Sequence, residues 1–152
     1  MSRTSLWRQL FGGGEPGAGA AAAPGAEPLT LARVTEPLAE NMSAIDGDFS
    51  MEGIQRLGNP VPMLVENSGD ELLELWLEPF GQDYWLRPGE QFTVTSYGTW
   101  HDRPFELAHH PGQIQIWACS CFATVTFPDG TEVPGGHQRP AGKYGTQGTQ
   151  VR

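Results

Sequence analysis

Cys119 and Cys121, at alternate positions in WACSCF, and the four histidines His101, His109, His110 and His137 are the residues with the clearest capacity for metal or redox chemistry. In a regular strand, side chains two apart project to the same side about 6.5–7 Å apart, near or beyond the span of an unstrained disulfide. A redox pair is therefore not expected. Thiolate and imidazole together suit zinc or copper, and Cys119, Cys121, His101 and His109 are the set such a site would draw on. Their spacing does not favour it: no methionine follows Met63, the first histidine after Cys121 is His137, and WHDRPFELAHH contains no His-x-His pattern. Buried thiols are common core residues, so both cysteines are expected to be inert core, with no cofactor.

Catalytic patterns are equally thin. His101 and Asp102 are sequence neighbours, which point apart in extended chain, and no serine or cysteine is placed as the nucleophile of a triad. Carboxylates are plentiful, but none stands out as one of the two that glycoside hydrolysis needs. There is no glycine-rich phosphate loop and no dinucleotide fingerprint. The chain reads as a protein without catalytic activity.

Aromatic residues beside acids are the stronger signal. In ELLELWLEP, Leu73, Leu75 and Leu77 alternate with Glu74, Trp76 and Glu78. If the leucines face a core, Trp76 faces away from it among carboxylates. The same alternation turns Trp85 outward when Tyr84 and Leu86 point in, and Tyr97 outward when Phe92 and Val94 point in. Trp76, Trp85 and Tyr97 are thereby expected on one acidic aromatic surface, suited to a partner protein or a sugar, unless a helix or loop covers it.

The elements that would position these residues begin at Val61, where the hydrophobic period becomes two. Strands are expected over VPMLVEN, ELLELWLEP, QDYWL, QFTVTSY, FELAHH, QIQIWA and FATVTF, with TEV as a return strand after the turn FPDG. Seven or eight short strands at this spacing predict an all-β fold, an antiparallel β-sandwich or partly open barrel, over residues 60–136. The run from Gln113 to Phe127 is too long for one strand, so a turn, bulge or sheet-switching bend is expected near Ala118 to Cys121. Ser68 and Glu71 also form a capping-box pattern, which leaves a helix over residues 69–78 as the alternative to a strand there.

Residues 29–59 read as a lead-in. Thr35 is a candidate N-cap, Pro37 would sit in the first turn, and Leu38, Met42 and Ile45 share a helical face that would end near Asp46-Gly47. Residues 46–60 read as irregular chain. The tails on either side, 1–28 and 137–152, are expected to be disordered. Within the first, Leu6, Trp7, Leu10 and Phe11 form an apolar stripe over residues 5–11, followed by a Gly/Ala/Pro linker: a docking peptide for a protein groove, with weak membrane-surface contact as the alternative.

Charge narrows the partners. The chain has 152 residues and a formal charge of −9. Residues 61–136 hold only Arg87 and Arg103 against eleven acids, whereas 137–152 carry Arg139, Lys143 and Arg152 and no acid. A phosphate backbone would be repelled by such a body, so nucleic acid is excluded as a partner. LWRQLF is interrupted by Arg8 and Gln9 and offers no export-signal core, and no run approaches the ~20 apolar residues of a membrane span. The expectation is a cytoplasmic, non-catalytic accessory module that engages a protein partner, with metal-binding and carbohydrate-binding sandwiches as alternatives.

Overall fold

The computed structural model describes residues 31–135. The peptide of residues 5–11, its linker and the tail of residues 137–152 lie outside the described residues. Two helices, α1 (Leu31–Ile45) and α2 (Met51–Gln55), precede seven strands: β1 (Val61–Glu66), β2 (Leu73–Glu78), β3 (Gln82–Leu86), β4 (Gln91–Ser96), β5 (Phe105–His110), β6 (Gln113–Ala118) and β7 (Ala123–Thr126). They form two separate sheets, β1-β4-β7 and β3-β2-β6-β5, which do not close into a barrel. The fold is all-β and sandwich-like.

The core follows from alternation. Leu75, Leu77, Tyr84, Leu86 and Ile116 from the four-stranded sheet meet Val65, Phe92, Val94 and Val125 from the three-stranded one. Each such side chain contributes roughly 1.5–3 kcal/mol on burial. Phe92 and Phe127 meet edge to face with centroids 5.5 Å apart. The expected eighth strand is reduced to a single bridge, Thr126 to Glu132, beyond the turn in which Gly130 N–H donates to the Phe127 carbonyl at 2.9 Å.

Pairing is antiparallel throughout except between β2 and β6, which run parallel from Glu74–Gln113 to Glu78–Trp117. The cause is topological. After β3 the chain leaves for β4 in the other sheet, and it returns as the hairpin β5–β6, whose second strand aligns with β2. Residues 73–78 are strand, not helix. Asn67 settles this locally: its Nδ2 donates to the carbonyls of Glu71 (2.7 Å) and Leu86 (3.0 Å), and its Oδ1 accepts from Gly69 N–H (3.1 Å). The chain is held in a turn where a capping box would need the first helical residues.

The lead-in differs from expectation at both ends. α1 starts at Leu31, ahead of Thr35, and carries Pro37 in its interior. Its inward side is Pro37, Leu38, Asn41 and Ile45, while Met42 is 42% exposed. The helix stops where Asp46 and Gly47 take positive φ, 49° and 76°. The following segment contains α2, capped by Ser50, whose Oγ accepts from Gly53 N–H at 3.1 Å. Its approach is fixed by Asp48, which accepts from Ser50 and pairs with Arg56.

Asn41 pins α1 to the sandwich. It is 2% exposed. Its Nδ2 donates to the carbonyls of Thr99 (2.9 Å) and Ser120 (2.8 Å), and its Oδ1 accepts from Thr99 N–H (2.9 Å). Beneath it, the hydroxyls of Ser96 and Ser120 lie 2.9 Å apart, joining the two sheets' chain paths.

Candidate functional site

Cross-strand register gathers one set of side chains on the outward face of β3-β2-β6-β5. Glu74 stands opposite Trp85 and Gln113, Trp76 opposite Asp83 and Gln115, and Trp117 opposite Glu78 and Glu106. All belong to the parity opposite to Leu75, Leu77, Tyr84 and Ile116, which fill the core. The face thus carries three tryptophans and four carboxylates, with His110 of β5 at one corner.

Hydrogen bonds stiffen this surface. Trp85 Nε1–H donates to Asp83 Oδ2 at 2.9 Å. Gln113 Nε2 donates to Glu74 Oε2 at 3.0 Å, and Gln115 Nε2 to Glu78 Oε1 at 3.1 Å. Each glutamine holds one oxygen of its glutamate, and among the described residues the second oxygen of Glu74 and of Glu78 has no hydrogen-bond partner. Glu106, whose side chain is almost wholly buried, has Arg103 Nε 3.7 Å away. Trp76 and Trp85 are half-buried. Trp117 and Asp83, like Glu106, are buried, so what the surface presents is the half-buried aromatic area of Trp76 and Trp85 beside the oriented acceptors of Glu74 and Glu78, the chemistry that recognises guanidinium or ammonium groups.

Trp76 and Trp85 lie together on this face; Tyr97 does not join them. It follows β4 in the other sheet, where its backbone N–H donates to the Phe122 carbonyl at 3.0 Å. Trp117 and Glu106 complete the face instead. Their side of the sheet is fixed by the β5–β6 hairpin docking on β2, a long-range event with no local pattern.

The cysteines occupy the turn between β6 and β7. Cys121 N–H donates to the Ala118 carbonyl at 2.9 Å, and Cys121 itself has φ 70°. This is the sheet-switching bend expected from the length of the run. Cys121 is 2% exposed and Cys119 half-buried, and both are thiols. Burial, followed by the neighbouring Cys119, pushes the Cys121 thiol up to about 12. Its surroundings are apolar: a cavity of about 310 Å³ lined by Phe49, Ile54, Leu77, Phe80, Cys121 and Phe122, with Glu78 and Gln82 also on its wall. Phe49 stacks on Phe122 with centroids 6.3 Å apart, and Phe80 lies tilted against the same ring at 6.0 Å.

The histidines stand elsewhere. His101 Nε2 lies 3.3 Å from Glu36 Oε2 of α1 at the surface. His109 pairs with Ile114, four residues along β5 from Phe105, which pairs with Ala118 beside the cysteines. Four residues of strand span about 13 Å, so His109 is at the far end of β6 from Cys119. Among the described residues no group of three or more His, Cys, Asp or Glu side chains is arranged to hold a metal ion. No helix among them is long and apolar enough to cross a membrane.

Comparison of the chain with family models, with curated proteins and with solved structures gives no match.

Proposed function

We propose that the protein is a non-catalytic binding module whose outward β3-β2-β6-β5 face engages an arginine- or lysine-bearing segment of a partner protein. One observation carries this reading: the half-buried Trp76 and Trp85 stand beside Glu74 and Glu78, which the sheet itself orients, with the buried carboxylates Asp83 and Glu106 adding negative charge beneath them. A guanidinium laid on an indole face gains about 0.5–2 kcal/mol from the ring quadrupole, and a carboxylate beside it adds charge-assisted hydrogen bonds. A neutral sugar would stack on the same rings and donate hydroxyls to the carboxylates, but it would leave the surplus of negative charge unneutralised. The Cys119 and Cys121 thiols suit a reducing compartment such as the cytoplasm.

The test is binding of a fluorescein-labelled Arg-Ser repeat peptide at 150 mM salt, with the double variant Trp76→Ala/Trp85→Ala as control. The variant keeps every carboxylate, so diffuse attraction survives in it. The expected result is at least a tenfold loss of affinity, the equivalent of about 1.4 kcal/mol. Equal affinity in the two proteins refutes the reading, and tryptophan-dependent binding of a neutral oligosaccharide in place of the peptide moves it to carbohydrate.

A further inference from the structure

The cavity of about 310 Å³ beside Cys121 lies where the chain crosses between the sheets. Leu77 and Ala118, at the ends of β2 and β6, wall it from one sheet, and Ala123, at the start of β7, walls it from the other. Leu77 belongs to the main core, whereas Ile54, Cys121 and Phe122 pack in a second cluster with Ile45 of α1. The cavity is the seam between the two. Interiors rarely leave such a space, because apolar walls around a void lose the contacts that would fill it.

Its rim is aromatic. Phe49 and Phe80 are 54% and 55% exposed, although both meet the buried ring of Phe122. Phe49 is carried by the segment that Asp48 braces, through Ser50 on one side and Arg56 on the other. Phe80 is carried by the turn between β2 and β3, where Gly81 takes φ 67°. Both rings stand in place without a guest, so little ordering remains to oppose binding.

The wall sets the class of guest. Among the described residues it carries one carboxylate, Glu78, one amide, Gln82, and no cation. Gln115 already donates to Glu78 and the Tyr84 hydroxyl to Gln82, and burial keeps the Cys121 thiol neutral. An anion entering here would give up water and meet a like charge with nothing to neutralise it. The rings of Phe49, Phe80 and Phe122 offer an aromatic guest both stacked and edge-on contacts. An engineered apolar cavity of roughly 150 Å³ takes benzene, and ligand pockets begin at roughly 300 Å³. From wall, rim and volume we propose that this cavity binds a small uncharged aromatic molecule of about two fused rings. The site does not depend on the function proposed for the outward sheet face.

The experiment titrates 2-naphthol, and 2-naphthoate as its charged counterpart, into the full chain at pH 7 by calorimetry. Submillimolar binding of 2-naphthol is expected, with 2-naphthoate at least about five times weaker. Phe49→Ala/Phe80→Ala changes two positions that are already more than half exposed and should weaken 2-naphthol at least about fivefold. Ala123→Leu, which fills the cavity from β7, should abolish binding, and a thermal scan of each variant checks that it is folded. In methyl NMR of wild type, Ile54 and Leu77 should shift on adding 2-naphthol, while Leu64 and Leu107, exposed on β1 and β5, should not. No binding of 2-naphthol up to about 2 mM, equal affinity in all three proteins, or shifts confined to Leu64 and Leu107 overturns the site. Equal affinity for 2-naphthoate overturns the ligand class. Should a variant unfold, the methyl shifts of wild type decide.

Discussion

Replacing Asn41 with alanine removes the one side chain that joins α1 to two separate turns of the sandwich. Its amide donates to the carbonyls of Thr99 and Ser120 and accepts from Thr99 N–H. Thr99 is exposed, so its backbone groups recover water when Asn41 is gone. Ser120 is fully buried and its carbonyl does not. Leaving one buried acceptor unsatisfied costs about 1–3 kcal/mol, and the two partly exposed bonds add about 0.5–1 kcal/mol each. Alanine recovers about 0.5 kcal/mol of helix propensity. The net expectation is a loss of about 2–4 kcal/mol, a large share of the ~5–15 kcal/mol typical of a domain. In urea unfolding this is read as a lower midpoint at unchanged slope, and in a thermal scan as a midpoint about 10 °C lower. Asn41→Asp should be at least as damaging, because it turns an acceptor toward two carbonyls. Met42→Ala, one residue on and exposed, should change stability by less than about 0.5 kcal/mol. An Asn41→Ala protein as stable as wild type would refute the argument and show that α1 is not part of the cooperative unit.

Two further outcomes depend on local geometry. Gly98 has φ 87°, and a Cβ there would lie 2.4 Å from Asn41 Oδ1, whereas Gly89 has φ 80° and nothing within 4 Å. Both alanine variants carry the left-handed backbone penalty of about 1–2 kcal/mol, so Gly98→Ala should cost at least about 2 kcal/mol more than Gly89→Ala, and equal midpoints in urea would contradict the packing around Asn41. Cys121 is held neutral up to about 12 against an ordinary 9.0, so its contribution is complete below pH 9 and is lost as pH rises toward 12. Between pH 8 and 10 wild type should lose about 1.4 kcal/mol from this group, a fall that Cys121→Ala lacks; Tyr84, raised from 10.0 to about 12, steepens the decline above pH 10 in both proteins. Parallel stability curves for the two proteins would show that the thiol is not buried.

What could be read in the chain was whatever repeats locally. The leucines at 73, 75 and 77 mark strand and facing at once, because alternation is a property of consecutive residues. The bend at Cys119–Cys121 was legible from the length of the apolar run, and the outward placement of Trp76 and Trp85 from parity. Three features were not. Asn41 looks like a solvent-facing helix residue until Thr99 and Ser120, 58 and 79 positions away, arrive to satisfy it. Tyr97 shares the outward parity of Trp76 but not its sheet, and parity does not say which sheet a strand joins. α2 is five residues long, too short for a period, and is held by Ser50 and Asp48 rather than by pattern.

The parallel pair β2–β6 also bears on how the chain reaches this structure. Glu74 meets Gln113, so 39 positions must be bridged before the centre of the four-stranded sheet exists. The hairpins β2–β3 and β5–β6 are local and form on the microsecond scale. Their union is not, since β4 and the loop after it must first be laid down in the other sheet, and closing so long a loop costs entropy before any contact returns it. The sandwich should therefore fold slowly for its size, in milliseconds to seconds, as domains dominated by non-local pairing do. The edge left open during that delay is that of β2 in the β2–β3 hairpin, whose Glu74, Glu78 and Asp83 repel the like charges of other chains. The negative surface of the finished sheet thus guards the unfinished one against pairing with its neighbours.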